Sequence, residues 1–348
     1  MKNFFYSGLL LILIIWSCQQ DEFSNPNQDP VEKGLSNANG DQFFMVANRG
    51  SATISIYDAN STEFLEEIQL PDENAQPTYL AHSIRNRAVY VGDFINSKIV
   101  IYDDQNFTIR GEIKIDEGAF HMWINEIAGQ LWINNIVSKT TSVIDLTNNT
   151  VLETLTLPFE EIPELTTDAV QHDVVLSTNG KRAFVTILDG LQTSYLVTYD
   201  TSTLKYLEHH IVGGDAHVYS APGRLYVPSQ SGNTLTVFNS DASVKLAELP
   251  YSSAHGIISS FRYVFVTGIS DATIGVFDRG RNKFIGEVST DFPIPHNIAV
   301  NRIGSVLLVS HSGSNATRVS FYNINRSGQL VKLTDYESGL NPFGVLSY

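Results

Sequence analysis

One two-strand phrase occurs seven times along the chain, and this repetition constrains the fold more than any other feature. In each copy a strand of alternating apolar and aromatic residues is followed by a short polar turn. A second strand then closes on an apolar or aromatic residue and Asp or Asn. The copies run Phe43 to Asp58, Val89 to Asp103, Leu131 to Asp145, Ala183 to Asp200, Leu225 to Asn239, Val264 to Asp278 and Leu307 to Asn323. Their closing residues are 45, 42, 55, 39, 39 and 45 residues apart, the period of a propeller blade. Each copy leads into a half-exposed third strand, such as Leu65 to Leu70, and then a strand entering the next copy, such as Ile298-Ala299-Val300. Four antiparallel strands per repeat predict an all-β, seven-bladed β-propeller over residues 41–348.

The ends of the array predict how the ring closes. The first copy begins at a second strand, and the chain ends on Asn341-Pro342-Phe343-Gly344-Val345-Leu346, an innermost-strand sequence with nothing after it. The C-terminal strand is therefore expected to complete the first blade and remove an open edge.

Aligning the innermost strands brings Thr78, His121, His172, His217, His255, His296 and Phe343 to one position, so five of the nine histidines share it. These strands start at one end of the central channel. The turns between second and third strands lie at that same end and contribute Arg49, Asp93, Phe94, Asn134, Gln230 and His311. Together with Phe343 they predict a concave site lined by imidazoles, amides and aromatics. Two readings account for the histidines. A repeat copies a hydrogen-bonding strut as readily as a ligand, whereas converging neutral imidazoles suit Cu, Zn, Fe or Co. Asp173 and Asp215 stand near His172 and His217 as acceptors able to orient imidazoles, and His209-His210 falls on an outer strand.

The N-terminus reads as a processing signal. Lys2 precedes an apolar run from Phe4 to Trp16, too short to span a bilayer. Ile15-Trp16-Ser17-Cys18 resembles a bacterial lipobox, which implies a signal peptide over 1–17, lipidation of Cys18 and membrane attachment. Residues 18–40 are polar and read as a tether, with Gln19-Gln20-Asp21-Glu22 resembling a surface-display tract. Cys18 is the single cysteine, so no intramolecular disulfide forms.

Formal net charge is −15 and the pI about 4.9, which disfavours nucleic acid as a partner. GxGxxG, Walker, HExxH and GxSxG motifs are absent. Val174 to Val185 (VVLSTNGKRAFV), Thr141 to Thr147 (TSVIDLT) and Asn341 to Val345 (NPFGV) carry a resemblance to the YVTN-repeat, YncE-like propeller family over residues 41–348. The resemblance implies the propeller fold and leaves function open, because propellers host binding, scaffolding and catalysis. The leading expectation is a noncatalytic lipoprotein of the outer membrane or cell surface. It would hold a transition metal or metal chelate of corrinoid, haem or siderophore type at the His-lined mouth, with an outer-membrane transporter as candidate partner. The alternatives are a protein-interaction scaffold and a metal-assisted lyase or lactonase.

Overall fold

A computed structural model describes residues 42–348; the signal peptide and tether expected over 1–40, with Cys18, lie outside the described residues. The described residues form seven four-stranded antiparallel sheets, each with the strand order of a propeller blade. The first is built from Pro342–Ser347, Phe43–Asn48, Thr53–Asp58 and Phe64–Gln69. Closure is as predicted, with Val345 opposite Val46 and Ser347 opposite Phe44.

Burial follows position within the blade. Phe43–Asn48 is buried throughout, Thr53–Asp58 nearly so, and the outermost Phe64–Gln69 is exposed or half-buried. Apolar clusters form between blades. Met45 and Ile54 of blade 1 pack with Leu80, Val89 and Val100 of blade 2, while Phe44 and Tyr57 pack with Leu308 and Phe321 of blade 7. The ring is thus held by burial on both faces of each sheet, the non-directional term that dominates folding.

The repeated closing pair has a local cause. In every blade the pairing with the outermost strand shifts register beside the aromatic or aliphatic member of that pair, from Ile56/Tyr57 to Phe321/Tyr322. The Asp that follows caps the next turn. Asp58 Oδ1 accepts the amides of Asn60 and Ser61 at 2.8 and 2.7 Å, and Asp103 and Asp200 do the same in their blades. Short polar side chains that bond backbone two residues ahead favour such turns.

The last position of the second strand supplies the struts between layers. Asn48 Nδ2 donates to Ser55 Oγ at 2.8 Å, Asn135 Nδ2 to Ser142 Oγ at 2.9 Å, and His311 Nε2 lies 2.9 Å from Ser320 Oγ. Asp93 belongs to the same set, accepting the Gln76 amide at 3.0 Å and the Asn96 amide group at 2.7 Å.

Candidate metal centre

A bulge at the start of the innermost strands positions the histidines. In blade 2, Pro77 pairs with Asp93, but the register has shifted by one when Leu80 meets Val91. Equivalent shifts occur in blades 3, 4, 6 and 7. A bulge re-aims side chains at a functional edge, and here it leaves two consecutive residues facing the channel end. Strand pairing corrects one part of the repeat alignment. Ala119 pairs with Asn135 as Pro77 pairs with Asp93, so Phe120 is the counterpart of Thr78 and His172, and His121 is the counterpart of Tyr79 and Asp173. The equivalent position therefore carries four histidines, His172, His217, His255 and His296, while His121 reaches the same layer from the next residue.

The five imidazoles nevertheless meet. His121, His172 and His217 have ring centroids 4.6 to 5.1 Å apart, His255 lies 4.0 Å from His217, and His296 lies 4.6 Å from His255. Phe343 at 4.3 Å from His296 and Tyr79 at 3.8 Å from His121 complete a circuit of rings around the axis. All five histidines are buried.

Asp173 organises two of them. Its carboxylate lies 3.0 Å from His121 Nδ1 and 3.3 Å from His217 Nδ1, and it accepts the amides of Val174 and Val218 at 2.7 and 3.0 Å. A carboxylate only accepts, so both Nδ1 atoms carry the proton and each Nε2 keeps its lone pair. The Nε2 atoms of His121 and His217 are buried and have no hydrogen-bond partner. His172 completes the group, its Nδ1 directed at the Ala216 carbonyl at 3.4 Å. The ligand atoms of His121, His172 and His217 lie within 4.8 Å of one another. Tetrahedral ligation at ~2.05 Å asks for about 3.3 Å between donors, closer than the present spacing.

Burial favours the neutral form of His121, His172, His255 and His296, the form that binds metal. Burial lowers His121 despite the attraction of Asp173. Burial, reinforced by neighbouring imidazoles, places His172 and His255 well below the ordinary value and His296 at about 3. Burial alone would raise the Asp173 carboxyl; the imidazole and amide donors around it hold it below the usual carboxylate range.

These groups form the inner end of a cavity of about 820 Å³. His121, Asp173, His217 and His255 line it there. An apolar belt including Leu80, Met122, Val174, Ile257 and Ile298 follows, and Ile84, Glu126 and Arg302 stand at the far mouth. The cavity therefore opens at the channel end opposite the one expected. Arg49, Asp93, Phe94, Asn134, Gln230, His311 and Phe343 are not among its lining residues. Arg49 instead lies over Phe94 and Phe343 at 4.6 and 5.2 Å, and Phe343 packs on Phe120 at 5.8 Å, so this group caps the histidine layer. Asn134 accepts the Thr141 hydroxyl at 2.6 Å, and Gln230 donates its backbone amide to Asp215. His311, with Nδ1 on the Pro293 carbonyl at 3.2 Å and Nε2 on Ser320, is fully engaged as a strut. Tyr79, Met122 and the bridging role of Asp173 between His121 and His217 depend on the bulge register, which no residue pattern displays.

No family model and no curated protein sequence matches the chain. Solved structures do. The Pseudomonas aeruginosa periplasmic gluconolactonase aligns at 13% identity over 88% of this chain and 99% of that one, with TM-score 0.70. A putative 6-phosphogluconolactonase from Bacteroides fragilis aligns at 14% identity over 90% and 99%, with TM-score 0.71. Kuenenia stuttgartiensis hydrazine synthase aligns at 14% identity over 85% and 92%, with TM-score 0.66. At these identities the likeness is one of fold, and fold leaves function open.

Proposed function

We propose that this chain is an exported, lipid-anchored binding protein that holds a transition-metal ion, or the metal of a small chelate, on His121, His172 and His217. The observation that carries the reading is the shared carboxylate. Asp173 fixes the tautomer of two imidazoles and leaves their Nε2 lone pairs buried without a partner, the orienting arrangement metal-ligating histidines use. A strut reading leaves those nitrogens unexplained, because the strut position is filled by Asn48, Asp93, Asn135 and His311. Of the three, His121 and His217 line the cavity, and three imidazole ligands leave a further coordination position for water or a chelate donor. The apolar belt above them suits an organic ligand shell.

Dialysis of the purified chain against Zn, Cu, Co or Fe salts, followed by elemental analysis, should yield one bound ion per chain for the preferred metal. His172→Ala with His217→Ala should abolish retention while His121 and the backbone amides still support Asp173. Asp173→Asn should weaken binding by about 10- to 100-fold. Retention unchanged in the double variant would exclude the site.

The names of the solved neighbours favour a second reading, a lactonase-like enzyme in which a bound metal polarises a carbonyl. Turnover of a sugar lactone that disappears in the same double variant would support it. The YVTN-repeat resemblance and the lipobox support placing the protein at the outer membrane, with a transporter there as partner. If Cys18 is lipidated, Cys18→Ser should move the exported protein from the membrane to the soluble fraction; unchanged fractionation would remove the anchor.

A further inference from the structure

We infer that the face around the open channel mouth docks on an anionic lipid bilayer. This face is formed by the turns that join the innermost strand of each blade to the second. Four of them carry a large apolar side chain at the tip: Ile84, Ile127, Phe261 and Ile303, each 58 to 77% exposed. The turns touch one another around the axis. Arg85 donates to the Glu126 carbonyl at 2.9 Å, Asn125 to the Ser177 carbonyl at 2.9 Å, and Ser260 to the Gly304 carbonyl at 3.1 Å. The tips are thus tied in neighbouring pairs, the turn of Ile84 to that of Ile127 and the turn of Phe261 to that of Ile303, rather than standing on independent loops.

Charge selects the occupant. Beside the apolar tips stand Arg85, Arg87, Arg262 and Arg302, on a chain whose formal net charge is −15. Of the carboxylates at this end, Asp58, Asp103, Asp200 and Asp278 are tied to their own turn amides, and Asp104 is paired with His82. Arg85 and Arg87 meet only loose carboxylate contacts, at 3.8 and 3.6 Å, and their side chains remain about 60% exposed. The opposite face also carries exposed apolar turn residues, Val137 and Leu191. Its loops are acidic, however, with Glu117, Glu160, Glu161, Glu164, Asp168 and Asp189. Apolar tips with interleaved arginines fit the headgroup and upper acyl region of an anionic bilayer, whereas apolar tips among carboxylates are repelled from it.

The path of the chain agrees. Gln42, where the described residues begin, lines the cavity at the open mouth, and its carbonyl accepts the Ala59 amide there at 3.0 Å. The described chain therefore enters the propeller at this face. The docking does not rest on metal binding. Its consequence is that the ligand channel opens toward the membrane plane.

The test uses the chain from residue 18 onward with Cys18→Ser, so that no acyl chain contributes. It is sedimented with vesicles of phosphatidylcholine, alone or mixed with phosphatidylglycerol. Binding to the phosphatidylglycerol vesicles is expected, weakening as salt rises. Ile84→Asp with Phe261→Asp should reduce partitioning at least about tenfold, and Arg85→Ala and Arg302→Ala about fivefold each. Val137→Asp with Leu191→Asp should leave it unchanged. A tryptophan introduced by Phe261→Trp should shift its emission to the blue on vesicle addition. Thermal midpoints of all variants establish that each is folded. No binding to phosphatidylglycerol vesicles, or equal loss from variants on the two faces, would overturn the inference. So would tip variants that abolish a solution dimer while vesicles bind nothing, which would assign the tips to a second copy.

Discussion

Deleting residues 340–348 should lower the thermal midpoint steeply and drive the chain toward aggregation. The deletion takes the innermost strand from blade 1 and leaves the buried Phe44, Met45 and Val46 with an unpaired edge. It also removes Val345, Leu346 and Tyr348 from the clusters that join blade 1 to its two neighbours. Full burial of a large apolar side chain contributes roughly 1.5–3 kcal/mol, and the half-buried Val345, Leu346 and Tyr348 each supply a part of that. Exposing the fully buried Phe44, Met45 and Val46 beneath them adds to a loss that is large against the ~5–15 kcal/mol that holds a domain folded. Blade 7 loses attachments too. Ser310 and Ser312 donate to the carbonyls of Phe343 and Pro342 at 2.7 and 2.6 Å, and the Gly313 amide donates to Asn341 Oδ1 at 3.0 Å. A point variant probes the same closure. A Cβ at Gly344 would stand 2.2 Å from the Thr78 carbonyl oxygen, so Gly344→Ala must separate blades 1 and 2. Differential scanning fluorimetry checks both, and a midpoint within a degree or two of wild type would sink the closure argument.

The extent to which the fold is legible in the chain follows from where its physical causes lie. A closing pair such as Tyr102-Asp103 is visible because a bulge and a turn cap demand particular residue types at fixed spacing. Closure is legible for a similar reason, since an innermost-strand sequence at the C-terminus lacks a blade unless it joins the first. The histidine layer is only half legible. Counting imidazoles at one strand end finds the five rings that meet. Which of two consecutive residues faces which neighbour depends on the bulge, and so His121 aligns with Tyr79 and Asp173 rather than with His172. Which end of the channel is open is not legible, because it depends on Arg49 lying over Phe94 and Phe343, a tertiary contact with no local signature.

Acidification from pH 7 to pH 5 should destabilise the metal-free protein far more than its carboxylates require. Burial holds His172 and His255 well below the ordinary imidazole value, His296 at about 3 and His311 at about 4. In the unfolded chain the same side chains titrate near ~6.5. Between these values the unfolded state binds more protons than the native one, so stability rises with pH and is lost as pH falls below about 6.5. Each such imidazole costs stability as pH falls from about 6.5 toward 5, and because all four shift in the same direction their losses act together against a domain stability of only ~5–15 kcal/mol. Asp173 does not contribute in this window. Its carboxyl is lowered in the native state, so its share is lost only below the unfolded value of about 3.9. Urea midpoints at pH 7, 6 and 5 measure the effect, and His255→Leu should flatten the slope by about 1.4 kcal/mol per pH unit. The proposed metal would change the profile in a defined direction. Bound to His121, His172 and His217, it would stabilise the native state by mass action and should carry the acid transition to lower pH. In His172→Ala with His217→Ala that metal-dependent shift should vanish. A stability profile flat between pH 7 and pH 5 would mean that the histidine layer is hydrated and not the buried, neutral set on which the metal site depends.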